Sequence, residues 1–483
     1  MRSEPSWETF AIGHERYDCI VDPDTAFWAL EPRETMHDEL RSVRMERAYR
    51  RKADEFAKEM DSLRFTRRPS AVYFNPTERC NLNCTYCYIP EAMRRDGSHM
   101  SEQRLLDALS RLKRYFSRTL PRGERGQIIF HGAEPLLNRD AVSTGISAFR
   151  NDFHFGIQTN ATLLDDRTVE FLVTHGVSIG LSLDSASESI GSRTRRTWSG
   201  RPVHEQVVSA MDKLRGYAHW SVIATMARGN MKRLIDLVEF FHAKEVPTCM
   251  LNVVRCTLDR SRRVKPSDAT ASRHYLAALD RTFELYRETG RKLPVANFAN
   301  ILLAIIAPSA RRLMCDISPC GGGRCFFALA PDGDLFPCSE FIGLDEFRGG
   351  NLFEDEMKDV LVSPAFRRVT ERRIENFEPC RSCAIRHFCG APCPAEVRSD
   401  GAALNGRGAF CEFYKEQARY AFRAIADNRH EAYLWEDWAE GTRITFALLI
   451  RTRTRLDSGL IFSPGRVPRP RRPSIHSRSR HSS

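Results

Sequence analysis

Twelve of the fifteen cysteines gather in three groups, and only Cys19, Cys249 and Cys256 stand alone. The opening residues, MRSEPSWETF, carry no export signal. So many cysteines in such a chain point away from a disulfide framework and towards metal or redox chemistry. The first group, in ERCNLNCTYCY, is Cys80-x3-Cys84-x2-Cys87. Three thiolates on one short loop hold three irons of a cubane [4Fe–4S] cluster and leave the fourth iron for a cofactor or substrate. A zinc site wants a fourth Cys or His, which the loop lacks but a distant segment can supply. The second group is Cys315, Cys320, Cys325 and Cys338. The third runs Cys380-x2-Cys383-x5-Cys389-x3-Cys393 and then Cys411. Cys-x2-Cys is equally a zinc spacing, so these groups alone leave iron–sulfur clusters and structural zinc both open.

These loops need a scaffold. After residue 68, short apolar runs alternate with helical periodicity. The expected strands are Ala71–Asn75, Gln127–His131, Phe153–Thr159, Val177–Leu183, Trp220–Thr225 and Thr248–Val254. The helices between them are Ser101–Ser117, Arg139–Arg150, Asp166–His175, His204–Arg215 and Met231–Lys244. In the first, Leu105, Leu106, Leu109 and Leu112 share one face and Ser101 suits the N-cap. A βα repeat of this kind surrounds a parallel sheet, as an open barrel or a doubly wound sheet. In both, chemistry collects at the C-terminal ends of the strands. The first cysteine group follows directly on the first strand.

At 483 residues, 42% hydrophobic and 28% charged, the chain is long enough for two or three domains and can bury a sizeable core. No apolar run approaches the roughly 20 residues of a spanning helix, so a cytoplasmic protein without membrane contact is expected. The net charge of +11 is misleading. Residues 443–483 hold ten Arg and one Asp, or +9, which leaves +2 for residues 1–442. That tail is rich in Pro, Arg and Ser and reads as a disordered, solvated appendage. The nearly neutral body argues against a specific nucleic-acid partner.

The Cys80–Cys87 loop, with Tyr86 before its last cysteine, resembles the cluster motif of the radical S-adenosylmethionine (SAM) superfamily. Three later strand ends match the family in order. Gly132-Ala133-Glu134-Pro135 resembles Gly-Gly-Glu-Pro, with Ala133 a departure that requires this position to tolerate a Cβ. Gln158-Thr159-Asn160 resembles Gln-Thr-Asn, and Ser182-Leu183-Asp184 resembles the segment facing the SAM ribose and carboxylate. The resemblance implies an α/β fold, a partial (β/α)6 barrel whose open iron chelates SAM. One electron then cleaves SAM to methionine and a 5′-deoxyadenosyl radical. It also implies SAM contacts at Tyr86, Gly132, Ala133, Glu134, Asn160, Ser182 and Asp184, with Glu134 accepting from the SAM ammonium. Arg195 is the carboxylate partner favoured over Arg193 and Arg196.

The later cysteines are similar to the C-terminal SPASM domain of many such enzymes, a small Cys-rich unit carrying two auxiliary [4Fe–4S] clusters. By similarity, Cys320, Cys325, Cys338 and Cys393 hold the first, with Cys315 an alternative to Cys325. Cys380, Cys383, Cys389 and Cys411 hold the second. The implied cofactors are SAM and three [4Fe–4S] clusters. The implied layout is an N-terminal segment over 1–68 (a barrel cap or leader-peptide binder), a barrel core over 69–255, and a helical bridge over 256–312. A SPASM domain over 313–425 and the basic tail over 443–483 complete it.

SPASM enzymes mostly modify peptides or proteins, so the expected substrate is a precursor peptide or protein, with flavodoxin or ferredoxin as one-electron donor. Formation of a thioether or another cross-link is the expected reaction; formylglycine formation on a sulfatase, or a small-molecule substrate, is the alternative. A sulfatase maturase is expected to place an Asp just after the Cys of its Pro-Cys motif. Here Pro337-Cys338-Ser339-Glu340 lacks it, and Glu340 is the substitute candidate for a catalytic base.

Overall fold

The computed structural model describes residues 6–35, 39–389, 393–398 and 404–439; the basic tail lies outside them. Strands β1 (Glu8–Phe10), β2 (Tyr17–Asp22) and β3 (Phe27–Pro32) form a small antiparallel sheet. The helix Glu39–Phe65 follows it. The six expected strands come next: β4 (Ala71–Phe74), β5 (Gly126–Phe130), β6 (Phe153–Thr159), β7 (Ser178–Ser182), β8 (Trp220–Met226) and β9 (Cys249–Val253). They pair in parallel, each with the next in the chain. This is the parallel α/β sheet anticipated from the periodicity, in the consecutive strand order of the partial barrel that the resemblance implies.

The helices form where the pattern places them, for visible reasons. In Glu102–Thr119, Leu105, Ala108, Leu109, Leu112 and Phe116 are buried along one face. Each fully buried Leu contributes about 1.5–3 kcal/mol. The Ser101 hydroxyl accepts from the Arg104 amide at 3.3 Å and satisfies one free donor of the first turn. Along β8 buried and half-buried residues alternate, as a strand with one packed face requires. Among the described residues no helix is long and apolar enough to cross a membrane.

Two features were not visible in the sequence. The first concerns a hairpin that turns at Gly333, formed by β10 (Phe326–Leu329) and β11 (Asp334–Phe336). At φ +97°, with Phe353 2.4 Å from where a Cβ would sit, this turn suits only glycine. With β12 (Gly350–Asn351) this hairpin extends the barrel sheet, because β10 lies parallel to β4 and pairs Phe326 with Ala71. The result is one nine-stranded sheet rather than a separate hairpin unit. Turn residues show which strands form a hairpin, but not which exposed edge it joins.

The second is that the N-terminal sheet packs against the C-terminal part of the chain. The Trp28 indole donates to Ile305 O at 2.8 Å and its ring meets Phe422 edge-on at 5.4 Å. Asp24 pairs with Arg386. At the end of the helix Glu39–Phe65, Arg64 donates to Ser318 O at 2.7 Å and pairs with Glu375 at 2.7 Å.

Candidate active site

The C-terminal ends of β4 to β7 carry the cysteine loop, Gly132–Glu134, Asn160 and Ser182–Asp184 on one rim. The loop is fixed from several sides. Its backbone pairs with the segment after β7: Asn83 N donates to Arg196 O at 2.8 Å and Thr85 N to Thr194 O at 3.0 Å. The Trp198 indole donates to Cys80 O at 2.8 Å. Arg94, 1% exposed, reaches Leu82 O and Ile89 O, each at 3.1 Å. Arg260 donates to Cys84 O at 2.7 Å and Asn83 Oδ1 at 3.0 Å. None of Arg94, Trp198 and Arg260 was singled out from the sequence. They share no spacing rule with the cysteines, and only the fold brings them there.

Burial dominates the loop's thiol chemistry. It pushes Cys84 up to about 11 against the pull of Arg195, and raises Cys80 and Cys87 as well. The thiols therefore stay protonated until a metal displaces the protons. Asn160 orients the loop, donating to Asn81 Oδ1 at 2.8 Å and approaching Cys80 Sγ at 3.8 Å.

Glu134 is wholly covered. Its Oε1 accepts from Leu136 N at 3.1 Å and the Thr159 hydroxyl at 2.7 Å; its Oε2 accepts from Asn160 N at 2.7 Å. These contacts make it a clamp between the ends of β5 and β6, a role the sequence did not suggest. Burial raises its pKa despite the three donors. Beside it, a Cβ on Gly132 would sit 3.1 Å from Asn75 Nδ2 and 3.3 Å from Ile89 Cδ1, so there the rim has no room for a side chain.

Asp184 and Arg195 are joined through Tyr86. Tyr86 donates its hydroxyl to Asp184 Oδ2 at 2.8 Å and accepts from Arg195 Nη1 at 2.8 Å. Asp184 further accepts from the Thr194 hydroxyl at 3.0 Å and Thr225 N at 2.9 Å. The Ser182 hydroxyl accepts from Gln158 Nε2 at 3.2 Å. Arg195 is 7% exposed, and its Nε is buried without a hydrogen-bond partner. Of the three arginines weighed for a carboxylate, it is the one on this network.

Several of the downstream cysteines lie close enough to act on one another's charge. Cys338 feels the charges of Cys320 and Cys393, and Cys325 that of Cys320. Cys380 feels Cys383 and Cys411. Cys393 thus sits with the first set although it follows the second in the chain. Cys315 also neighbours Cys338 and Cys320, which places it beside the first set. Among the described residues no three His, Cys, Asp or Glu side chains converge on a point as the ligands of a single ion do. A cubane gives each thiolate its own iron, so its ligands stand wider apart.

Glu340 lies between the two regions, close enough to Cys87 and Tyr88 on one side and Cys338 and Cys393 on the other to act on their charges. It is not an outer-surface residue. Burial pushes its carboxyl up to about 7, against the pull of Arg255, and its Oε2 has no hydrogen-bond partner. Glu340, Tyr88 and Arg255 are each half-buried, and Glu340 acts on the charge of both others.

The donor set fits an iron–sulfur cluster with SAM on its open iron. Three thiols share one loop, and an orphaned guanidinium nitrogen of Arg195 awaits an acceptor.

Comparison with known proteins agrees. The model of the radical SAM superfamily matches residues 74–241, and that of the SPASM iron–sulfur cluster-binding domain matches residues 320–384. An uncharacterized protein of Archaeoglobus fulgidus is 38% identical over 84% of this chain and 92% of its own length. A cysteine-type anaerobic sulfatase-maturating enzyme of Clostridium perfringens is 23% identical, over 73% of this chain and 96% of its own. A PqqA peptide cyclase of Bradyrhizobium diazoefficiens is 24% identical, over 77% and 94%. The solved structure of native anSMEcpe with bound AdoMet and Cp18Cys peptide superposes with a TM-score of 0.65 at 19% identity, covering 75% of this chain and 99% of that one. The rim, the cysteine loop and these matches together show that the chain belongs to the radical SAM superfamily, as a radical SAM enzyme with a C-terminal SPASM domain.

Proposed function

We propose that this enzyme modifies a side chain of a ribosomally made precursor peptide or a protein, with three [4Fe–4S] clusters and a one-electron donor such as flavodoxin or ferredoxin. The observation that carries the reading is the position of Glu340, between the Cys80–Cys87 loop and the first auxiliary cysteine set. When bound, the loop cluster and SAM supply a 5′-deoxyadenosyl radical that takes a hydrogen atom from the substrate. The residues of the chain do the rest. Cys80, Cys84 and Cys87 hold the cluster, and Gly132 admits the SAM backbone. Arg195, oriented by Tyr86 and Asp184, holds the SAM carboxylate through its free Nε. The barrel excludes water and oxidant from the radical. Glu340 takes the proton that leaves the substrate. The two auxiliary cysteine sets, each with four thiols, would hold clusters whose chemistry would be electron transfer.

Cross-link formation is the primary reading, in line with the peptide cyclase relative. Formylglycine formation is the second, favoured by the position of Glu340 between the two cysteine regions and by the sulfatase-maturating relative. The test is anaerobic incubation of the reconstituted enzyme with SAM, dithionite and peptides encoded beside its gene, followed by mass spectrometry. The account expects 5′-deoxyadenosine in step with a modified peptide. A mass loss without a carbonyl supports the cross-link, and a hydrazine-reactive aldehyde supports formylglycine. SAM cleavage that no peptide stimulates but a small molecule does would refute both peptide readings.

A further inference from the structure

The two largest fully buried side chains among the described residues are arginines, Arg94 and Arg324, each 1% exposed. Placing a guanidinium where water cannot reach it is strongly unfavourable unless an anion compensates it. Neither arginine forms an ion pair with a carboxylate among the described residues, and every hydrogen bond they make goes to a neutral oxygen. Arg94 reaches Ile89 O and Leu82 O at 3.1 Å and Asn83 Oδ1 at 3.4 Å. Arg324 reaches Cys320 O at 3.1 Å, Pro319 O at 2.9 Å, Leu63 O at 3.0 Å and Thr66 O at 3.3 Å. The ionisable sulfurs in range are Cys84 and Cys87 for Arg94, and Cys320 and Cys325 for Arg324.

We propose that Arg94 and Arg324 are built-in counter-charges, Arg94 for the SAM-binding cluster and Arg324 for the first auxiliary cluster, each raising the reduction potential of its own cluster alone. The inference rests on the cluster-ligand assignment proposed above. Thiols bind metal as thiolates, and a cluster held by them is anionic. Reduction adds a further negative charge, which an adjacent desolvated cation stabilises more than it stabilises the oxidised form. The second auxiliary set differs. Two of the cations near it have carboxylate partners: Lys415 pairs with Glu412 at 3.2 Å, and Arg386 with Asp24. Arg372 acts on Cys320, Cys393 and Cys380, so it does not favour one auxiliary site. Arg324 has a second consequence. Two of its acceptors, Leu63 O and Thr66 O, lie at the end of the helix Glu39–Phe65, so loading the first auxiliary cluster secures that helix end.

The test is an EPR-monitored redox titration of full-length reconstituted enzyme, after an iron count, comparing wild type with Arg94→Gln, Arg94→Lys, Arg324→Gln and Arg324→Lys. Arg324→Gln is expected to move one auxiliary potential to a more negative value and leave the other two couples in place. Arg94→Gln is expected to move only the cluster whose signal changes on adding SAM. Both Lys variants are expected to stay close to wild type although they lose most of the carbonyl contacts, which a purely mechanical clamp would not allow. Unmoved potentials with all clusters present, or equal behaviour of Lys and Gln, would overturn the proposal. If the Gln variants fail to load iron, hydrogen exchange of wild-type residues 62–70 with and without clusters decides: lower protection without clusters supports the proposal, and equal protection overturns it. A wild-type protein that never binds auxiliary iron overturns the ligand assignment and the Arg324 half with it. The Arg94 half is still read from the SAM cluster.

Discussion

Tyr86→Phe is the substitution whose consequence the structure specifies most closely. The Tyr86 hydroxyl is the only atom it removes, and that atom joins Asp184 Oδ2 and Arg195 Nη1 at 2.8 Å each. Phenylalanine preserves the ring and its packing, so the cysteine loop should still fold and bind iron. Arg195 then has two unanchored nitrogens, Nη1 as well as the already orphaned Nε. A hydrogen bond to a charged group contributes about 1.5–3 kcal/mol. At 1.36 kcal/mol per decade that is a loss of about 10- to 150-fold in SAM affinity. The assay is a SAM titration of anaerobically reconstituted protein, read by the change in the cluster's EPR signal, with iron counted on the same samples. A dissociation constant within twofold of wild type at unchanged iron content would show that Arg195 is not held for SAM by this relay.

Three further outcomes are expected. Glu340→Gln should retain iron and SAM cleavage but lower modified product per 5′-deoxyadenosine by about 10²–10⁴-fold, the usual range for a lost proton-transfer group; an unchanged ratio removes Glu340 as base. Cys325→Ala should disturb one auxiliary cluster by EPR while Cys315→Ala leaves both intact, and the reverse pattern would exchange the two ligands. Burial pushes the Glu59 carboxyl up to about 7, against its hydrogen bond to Ser309. A raised folded-state pKa means its contribution to stability is complete below the unfolded value, about 4.3, and is lost as pH rises through about 7. The full shift would correspond to about 4 kcal/mol; partial solvent access reduces it to about 1–2 kcal/mol. Melting temperatures of wild type and Glu59→Gln should therefore diverge between pH 5 and pH 8, and parallel curves contradict this.

Much of the scaffold was legible because period-2 and period-3.6 patterns report burial directly, and burial is what forms β4 to β9 and the helices between them. The cysteine groups were legible because ligand spacing on a loop is local. What was hidden depends on contacts distant in sequence. Arg94 and Arg260 reach the loop from two different helices, and nothing in EAMRRD or DRSR separates an arginine that clamps backbone carbonyls from one that faces water. The Glu134 clamp was hidden likewise, since its donors arrive from β6 and the following turn. The joining of β10 to β4 was hidden because strand edges carry no address in their side chains. The N-terminal brace rests on pairs separated by more than two hundred residues, such as Trp28 with Ile305.

The central claim is that this is a radical SAM enzyme with three four-iron clusters. It is tested most directly by counting iron and sulfide per chain after anaerobic reconstitution, with 5′-deoxyadenosine measured on the same sample. The account predicts about 12 of each, and SAM cleavage that requires reductant and vanishes when Cys80, Cys84 and Cys87 are replaced by Ala. About 4 iron with cleavage intact would contradict the auxiliary assignment. Zinc in place of iron, with no cleavage, would contradict the whole account.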